Sequence, residues 1–397
     1  MRRRIYCFAM RHVWTLTIAQ AFAACSTITL VTFGGIVGTR IAPSPALATL
    51  PLSMSVLGLA MMSLPAALLM QRVGRRPAFI GSALVASLAA LLCAYAILQS
   101  AFTLFCIAGF LIGSNMAFVQ QYRFAAIEFV GQELAGKAAS TVMIGTLVAA
   151  FVGPTLGGAI SDFGHWPEYT ASFVVLAALC LCAAAVLTRL PNSLPTRRSD
   201  QADVAARPVL GLLRDPKYRV AVLAGLTSYA VMSFIMTATP LSMHVHDGFS
   251  TGETTMVITA HLLGMYLPSL ATPWFVSKLG VRGMMTTGIV INLLCVVICA
   301  FVGRHFIHYF SALLLLGVGW NLLFVGATTL LSSTYSESER FRAQGFNDFA
   351  VFGSQALASL SAGAAIETLG WETLNLATLP LLMWLAWSMR RAVSAQK

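Results

Sequence analysis

Charged side chains are scarce in this chain: Asp, Glu, Lys and Arg together make up 10% of 397 residues, where a soluble domain carries about 25%. So few charges cannot cover a water-facing surface of this size. A soluble globular fold is therefore excluded, and lipid must be the main solvent. Acidic residues are the scarcer sign, 14 against 25 basic ones. No Asp, Glu, Lys or Arg falls near the middle of an apolar run, so the buried central carboxylate usual in proton-driven sugar and drug carriers is missing. A disulfide framework is lacking too. All of the eight cysteines but Cys7 lie inside apolar runs, where thiols behave as small buried hydrophobes. The glycine pairs Gly34-Gly35 and Gly157-Gly158 have no nucleotide-loop context and read as packing residues. No nucleophile–base pair and no open metal site with a carboxylate base can be assembled, which argues against an enzyme.

What the chain has in quantity is apolar sequence. Hydrophobic residues make up 58% of the chain and the mean hydropathy is +0.79. They arrive in runs of about 20, long enough to cross roughly 30 Å of hydrocarbon as helix. Helix is required because lipid offers backbone polar groups no partner. The runs place spans at 13–37, 46–70, 78–99, 102–122, 135–158 and 170–188, then at 219–243, 253–276, 284–303, 308–331, 345–366 and 371–389. The expected fold class is an all-α membrane protein of twelve transmembrane helices.

The net charge of +11 follows topology. With the N-terminus in the cytoplasm, 23 of the 25 Lys and Arg residues fall on the inner side and only Arg40 and Arg304 on the outer. That bias is the positive-inside rule, so the basicity implies no nucleic-acid partner; the bilayer itself is the partner. Both termini are then cytoplasmic. Met1–Arg4 followed by a full-length span reads as an uncleaved first helix.

One long polar stretch, 189–218, carries Arg197-Arg198 and Pro191, Pro195 and Pro208 and divides the chain. The expected organisation is a six-helix bundle over 1–190, a cytoplasmic linker over 191–218 with a short interfacial helix near 208–218, and a second six-helix bundle over 219–397. An internal repeat supports the division. Arg72-Val73-Gly74-Arg75-Arg76 and Lys278-Leu279-Gly280-Val281-Arg282 stand 206 residues apart. The same offset aligns Gly113-Ser114-Asn115 and Phe118 with Gly319-Trp320-Asn321 and Phe324, and Glu133 with Glu339. Parallel six-helix repeats place a substrate site between the halves near the bilayer midplane.

Gln71-Arg72-Val73-Gly74-Arg75-Arg76-Pro77 resembles the loop signature of the major facilitator superfamily. Gln71 stands where that signature usually has an acid, a departure expected to weaken the charge relay to neighbouring helices. Gly153-Pro154-Thr155-Leu156-Gly157-Gly158 is similar to a second motif of the superfamily, usual in exporters. The resemblance spans essentially the whole chain and implies alternating access, with Arg72, Gly74, Arg75, Arg76, Lys278, Gly280 and Arg282 in the conformational loops. It also implies that the third and sixth spans of each half are peripheral, which makes Cys180/Cys182 and Cys295/Cys299 poor metal sites despite their spacing. Spans one, four, seven and ten would line the cavity, bringing Cys25, Asn115, Met116, Trp320 and Asn321 to it. Asn115 and Asn321, being repeated, read as interhelical hydrogen-bond groups. Cys25 or Met116 would be the candidates to complete a metal shell from the first half.

Polar residues inside a bilayer are costly and therefore candidates for function. One histidine, His261, lies within a span, with Met265 four residues on; in the preceding span Met236 follows Met232 by four. An i,i+4 pair projects from one helix face. At about 1.5 Å per residue, Met236 and His261 lie roughly 10 and 12 Å below the outer end, and Met232 and Met265 roughly 16 and 18 Å. If the two spans are neighbours, the four side chains make a two-level ladder of soft, uncharged ligands suited to Cu(I). Met243, His244 and His246 would collect metal at the outer mouth. The first-half counterparts at the same offset are Ser26, Leu30, Ser55 and Leu59, so the repeat itself does not require Met or His there. His305 and His308 read as solvated loop residues.

The pairing of Met232-x-x-x-Met236 with His261-x-x-x-Met265 resembles the signature of the CcoA-type (CalT) bacterial copper importers. That resemblance implies an inner-membrane importer supplying copper for haem–copper oxidase assembly, with Met232, His261 and Met265 essential and Met236 supportive. Copper is then cargo and no resident cofactor is needed; a periplasmic or cytoplasmic copper chaperone would be the partner. Related members carry riboflavin, and an organic-solute importer is the nearest rival, with Trp320, Tyr229, Tyr266 and Phe234 stacking on the ligand. A drug or metabolite exporter is favoured by the fifth-span motif and disfavoured by the missing carboxylate. A copper sensor that binds without transporting would be told apart by metal flux in proteoliposomes.

Overall fold

A computed structural model describes residues 2–44, 47, 49–162, 164–191 and 207–394. Arg197 and Arg198 of the linker lie outside the described residues, as does the side chain of His244. Among the described residues every regular element is helical. The first six crossings are α1 (Arg2–Ile41), α2 (Leu50–Val73), α3 (Arg75–Leu98), α4 (Phe102–Val119) continued by α5 (Tyr122–Val130), α6 (Ala135–Ala159) and α7 (Thr170–Leu187). After the linker, the interfacial helix expected near 208–218 is one turn, α8 (Val209–Leu212). Then follow α9 (Pro216–Pro240), α10 (Thr251–Tyr266), α11 (Thr272–Val297), α12 (Phe306–Leu331), α13 (Arg340–Leu376) and α14 (Leu379–Ser394).

Two apolar helical stretches run 51 and 52 residues, Gly252–Val302 and Arg340–Arg391, twice what one crossing needs. Each turns back at a single glycine. Gly280 has φ 67° and ψ 169°, and Gly370 has φ 74° and ψ 172°, a conformation that a Cβ disfavours. Ten continuous apolar stretches are thereby twelve crossings, at the places the hydropathy marks. The repeat shows in the backbone as well: 206 residues before these glycines stand Gly74, φ 88°, and Gly164, φ 82°.

Helix starts follow local chemistry. Asp215 accepts the Lys217 N–H at 2.8 Å ahead of Pro216 at the first position of α9. Ser250 and Glu253 exchange capping bonds at α10. Large apolar side chains such as Leu88, Leu357, Leu360 and Trp384 are exposed, the reverse of a water-soluble fold and what a lipid-facing surface needs.

The chain forms two compact units. One comprises residues 1–131, 141–206 and 338–349; the other comprises 132–140, 207–337 and 350–397. Each therefore takes a short segment from the opposite half of the sequence, and the two segments begin 206 residues apart. In the first unit the most enclosed crossing is α4–α5; in the second it is α12. Small residues bring the helices close. A Cβ on Gly113 of α4 would lie 1.8 Å from the Ser55 carbonyl oxygen of α2, so no other residue fits this α2–α4 contact.

Candidate functional site

In the second unit α12 is the post on which the site is built. It packs against α9, α10 and α11, while α9 and α10 meet each other far less than either meets α12. The two spans expected to be neighbours are therefore not closely packed on each other: spacing along a helix fixes depth, and both rows sit on helices that pack mainly on α12.

His261 is 1% exposed, and its Nδ1 lies 2.9 Å from the Leu313 carbonyl oxygen of α12. A carbonyl only accepts, so Nδ1 carries the proton and Nε2 carries the lone pair. Nε2 is buried without a partner. The backbone of α10 is pressed on α12 at the same level, since a Cβ on Gly317 would meet the His261 carbonyl oxygen at 2.4 Å and the Met265 nitrogen at 2.7 Å. Asn321 donates from Nδ2 to the Met265 carbonyl at 2.6 Å and to Ser269 Oγ at 2.7 Å. It is thus the interhelical tie that the repeat suggests. Its counterpart Asn115, in the first unit, is buried with neither amide atom partnered. Met232 and Met265 are buried. Met236 is half-buried against the apolar cluster around Tyr309 and Trp371, as is Phe234.

One turn along α12 from Gly317, Trp320 collects aromatic rings. Its ring stacks on Phe324 at 5.1 Å and 22° and meets Tyr229 of α9 and Tyr266 of α10 edge-on at 5.2 and 5.9 Å. Tyr229 in turn meets Phe324 and Phe352 edge-on at 5.0 and 5.2 Å. Trp320 is 1% exposed and its Nε1 has no hydrogen-bond partner. Three of the four rings expected to stack on an organic solute are therefore together, and Phe234 is elsewhere. Phe324 and Phe352 join them. Phe324 was visible in sequence only as an anchor of the repeat, and Phe352 carries no sequence signal at all.

The remaining candidates disperse. Cys25, in the first unit, gives its thiol to the Ala21 carbonyl of its own helix at 3.2 Å, and Met116 is buried in the same unit. Met243 is fully enclosed in a π-turn after α9, so this residue of the outer collection set does not face solvent. His246 is exposed, 3.6 Å from Glu367. Asp247 beside it accepts from Tyr309 at 2.7 Å and from Arg304 at 3.3 Å. Arg304 also grips Glu372 through two bonds of 2.7 and 2.6 Å. No three His, Cys, Asp or Glu side chains gather as a metal-ligand set among the described residues.

The conformational loop after α2 has a partner network inside the first unit. Arg75 is buried, and both Glu128 oxygens accept from it at 2.9 and 2.5 Å. It also donates to Gln344 of α13 at 2.7 Å. Further along α13, Asp348 accepts from Gln121 at 2.7 Å and pairs with Arg123. Among the described residues the network runs from Glu128 through Arg75 and Gln121 to Asp348, and Gln71 makes no contact in it. In the repeated loop Lys278 is exposed, and Arg282 caps the Met389 carbonyl at 2.6 Å.

Similarity to known proteins agrees with this architecture. The family model of the Major Facilitator Superfamily matches residues 16–250 and 221–395. The riboflavin transporter RfnT of Brucella anthropi is 38% identical over 374 residues, covering 94% of each chain. YdeG, an MFS-type transporter of Bacillus subtilis, is 29% identical over 94% of this chain and 91% of its own. The crystal structure of the human organic anion transporter MFSD10 superposes with a TM-score of 0.79 at 13% identity, covering 96% of this chain and 99% of that one.

Proposed function

The chain belongs to the Major Facilitator Superfamily, and from that premise we propose that it imports a planar organic solute of the riboflavin class across a bacterial inner membrane by alternating access. The observation that carries this reading is the Trp320 cluster. A stacked Trp320–Phe324 pair flanked by Tyr229 and Tyr266 offers rings for a flat solute to contact. The indole Nε1, buried and without a partner, is a donor to spare, and such groups in native interiors are few. The 38% identity to a riboflavin transporter over 94% of both chains supports the same cargo. An uncharged span interior suits a solute bound by stacking and neutral hydrogen bonds. The distribution of basic residues supports a cytoplasmic position for both termini. The two arginines left outside, Arg40 and Arg304, are each matched to a carboxylate, Glu168 and Glu372.

The test is uptake of labelled riboflavin by cells that cannot make it, with the wild type and Trp320→Phe compared at equal membrane abundance. Uptake above the empty-vector level, reduced in the variant, is the expected result. Uptake that does not depend on the protein removes the reading.

A second reading, copper import, is favoured by one observation. The His261 tautomer set by Leu313 leaves Nε2 as a buried lone pair, the state in which imidazole binds a metal. Met265 and Met232 would be its thioether partners, with Met236 in support, and a chaperone would hand over or receive the ion. Copper accumulation that is lost in Met265→Leu is the result that would favour it.

A further inference from the structure

The first unit contains a cavity that the transport reading does not use. It lies at the end carrying the α2–α3 turn, has a volume of about 190 Å³, and is lined by Arg75, Arg76 and Arg340 with Glu128, Phe79 and Phe129 among its other walls. Among the described residues, three guanidinium groups and one carboxylate line it. Glu128 has both oxygens committed to Arg75 at 2.9 and 2.5 Å, and Arg340 stands 3.6 Å off. The described lining carries an excess of positive charge at a site that is only partly open to water. Arg75 and Arg340 keep 8% and 17% of their side-chain surface. Positive charge in such surroundings is screened little by solvent, and an anion entering would be held correspondingly well.

We propose that this cavity is an anion site that takes a phosphate group through Arg76 and Arg340. Guanidinium forks match phosphate oxygens with paired N–H bonds, which a simple point charge does not. The size agrees with that class of ligand. At about 30 Å³ per water the cavity holds roughly six water volumes, enough for a phosphate and the first atoms of its ester. It falls below the range of about 300–1,000 Å³ typical of pockets that enclose a whole organic solute, so it is no second transport site. The phenyl rings of Phe79 and Phe129 suit the carbon side of an ester. A soluble phosphate ester and the headgroup of an anionic lipid share this chemistry.

The placement gives occupancy a consequence. Arg340 opens α13 and lies over Phe341 at 4.7 Å. One turn on, Gln344 is bonded to Arg75, and Asp348 is paired with Arg123. A phosphate bridging Arg76 and Arg340 adds one more tie between α3 and the start of α13, so it holds these segments together and slows turnover. The site is independent of the cargo and stands whether riboflavin or copper is carried.

The experiment uses the purified full chain in nanodiscs of phosphatidylcholine. Thermal midpoints are taken with and without inorganic phosphate at constant ionic strength, and again with phosphatidylglycerol replacing part of the neutral lipid. Wild type, Arg76→Gln, Arg340→Gln and the control Arg390→Gln are compared. The expected result is a rise of about 2–4 °C in wild type and control with at least one of the two sources, lost in both pocket variants. Phosphate alone giving the rise assigns a soluble anion, and phosphatidylglycerol alone assigns a lipid. No rise with either source, or an equal rise in the pocket variants, overturns the proposal.

Discussion

His261 donates from Nδ1 to the Leu313 carbonyl oxygen at 2.9 Å, tying α10 to α12 and fixing the ring's tautomer. On the organic-solute account this bond is a tie between helices. His261→Phe should therefore lower thermal stability by about 0.5–1.5 kcal/mol, the net value of one hydrogen bond, since the Leu313 carbonyl keeps its helical N–H partner, while riboflavin uptake per folded molecule stays unchanged. Met265→Leu, which conserves volume, should leave both stability and riboflavin uptake near wild type. Loss of transport in either variant at normal abundance would move the site onto the imidazole and thioether.

Asp348 and Arg123 are paired at 0% and 3% side-chain exposure. Removing one partner strands the other charge in the interior, which costs about 3–5 kcal/mol. Asp348→Asn alone should melt well below wild type, and Arg123→Gln added to it should restore part of the loss. Thermal denaturation of the two single variants and the double variant checks this. Additive losses in the double variant would mean the pair is not coupled.

Much of the fold was legible because lipid imposes it. Twelve apolar runs became twelve crossings, and the 206-residue repeat reappears in the left-handed glycines at 74 and 280. The pair at 164 and 370 obeys the same offset but lies in loops with no shared motif, so sequence spacing did not expose it. The site was legible in depth and not in azimuth. His261 and Met236 lie at comparable heights by rise per residue, yet nothing in an i,i+4 pattern says that their helices pack on α12 more than on each other. The partners of Arg75 were hidden for a related reason. A motif compares residues at fixed short distances, whereas Arg75 finds Gln344 across 269 positions.

Gly280 and Gly113 make a paired prediction. A Cβ at Gly280 meets nothing within 4 Å, so Gly280→Ala should be penalised by backbone conformation alone, at about 1–3 kcal/mol. Gly113→Ala should be far worse, because its Cβ would overlap the Ser55 carbonyl at 1.8 Å. Melting temperature and yield of the two variants rank them. Equal effects would contradict the packing of α4 on α2.

Glu168 is held below the usual carboxylate range by its hydrogen bond with Tyr169 and then by Arg40. A carboxylate with a lowered folded-state pKa contributes stability that is complete above the unfolded value and is lost as pH falls through the folded one. Glu168→Gln should accordingly change the melting temperature at neutral pH and converge with wild type in acid. High salt should shrink the difference at neutral pH, since the pair is exposed. A difference that persists in acid would contradict the assignment.

The central claim rests on Trp320 and is tested most directly by transport. Purified protein in proteoliposomes is given labelled riboflavin, and copper in a parallel set, with wild type and Trp320→Phe side by side. The account predicts saturable riboflavin entry by the wild type and no copper entry above protein-free vesicles. It also predicts that Trp320→Phe, which keeps the ring and loses the indole N–H, raises KM by about tenfold, the value of one hydrogen bond near 1.4 kcal/mol. Copper entry by the wild type without riboflavin entry, or riboflavin kinetics unaltered by Trp320→Phe, would contradict it.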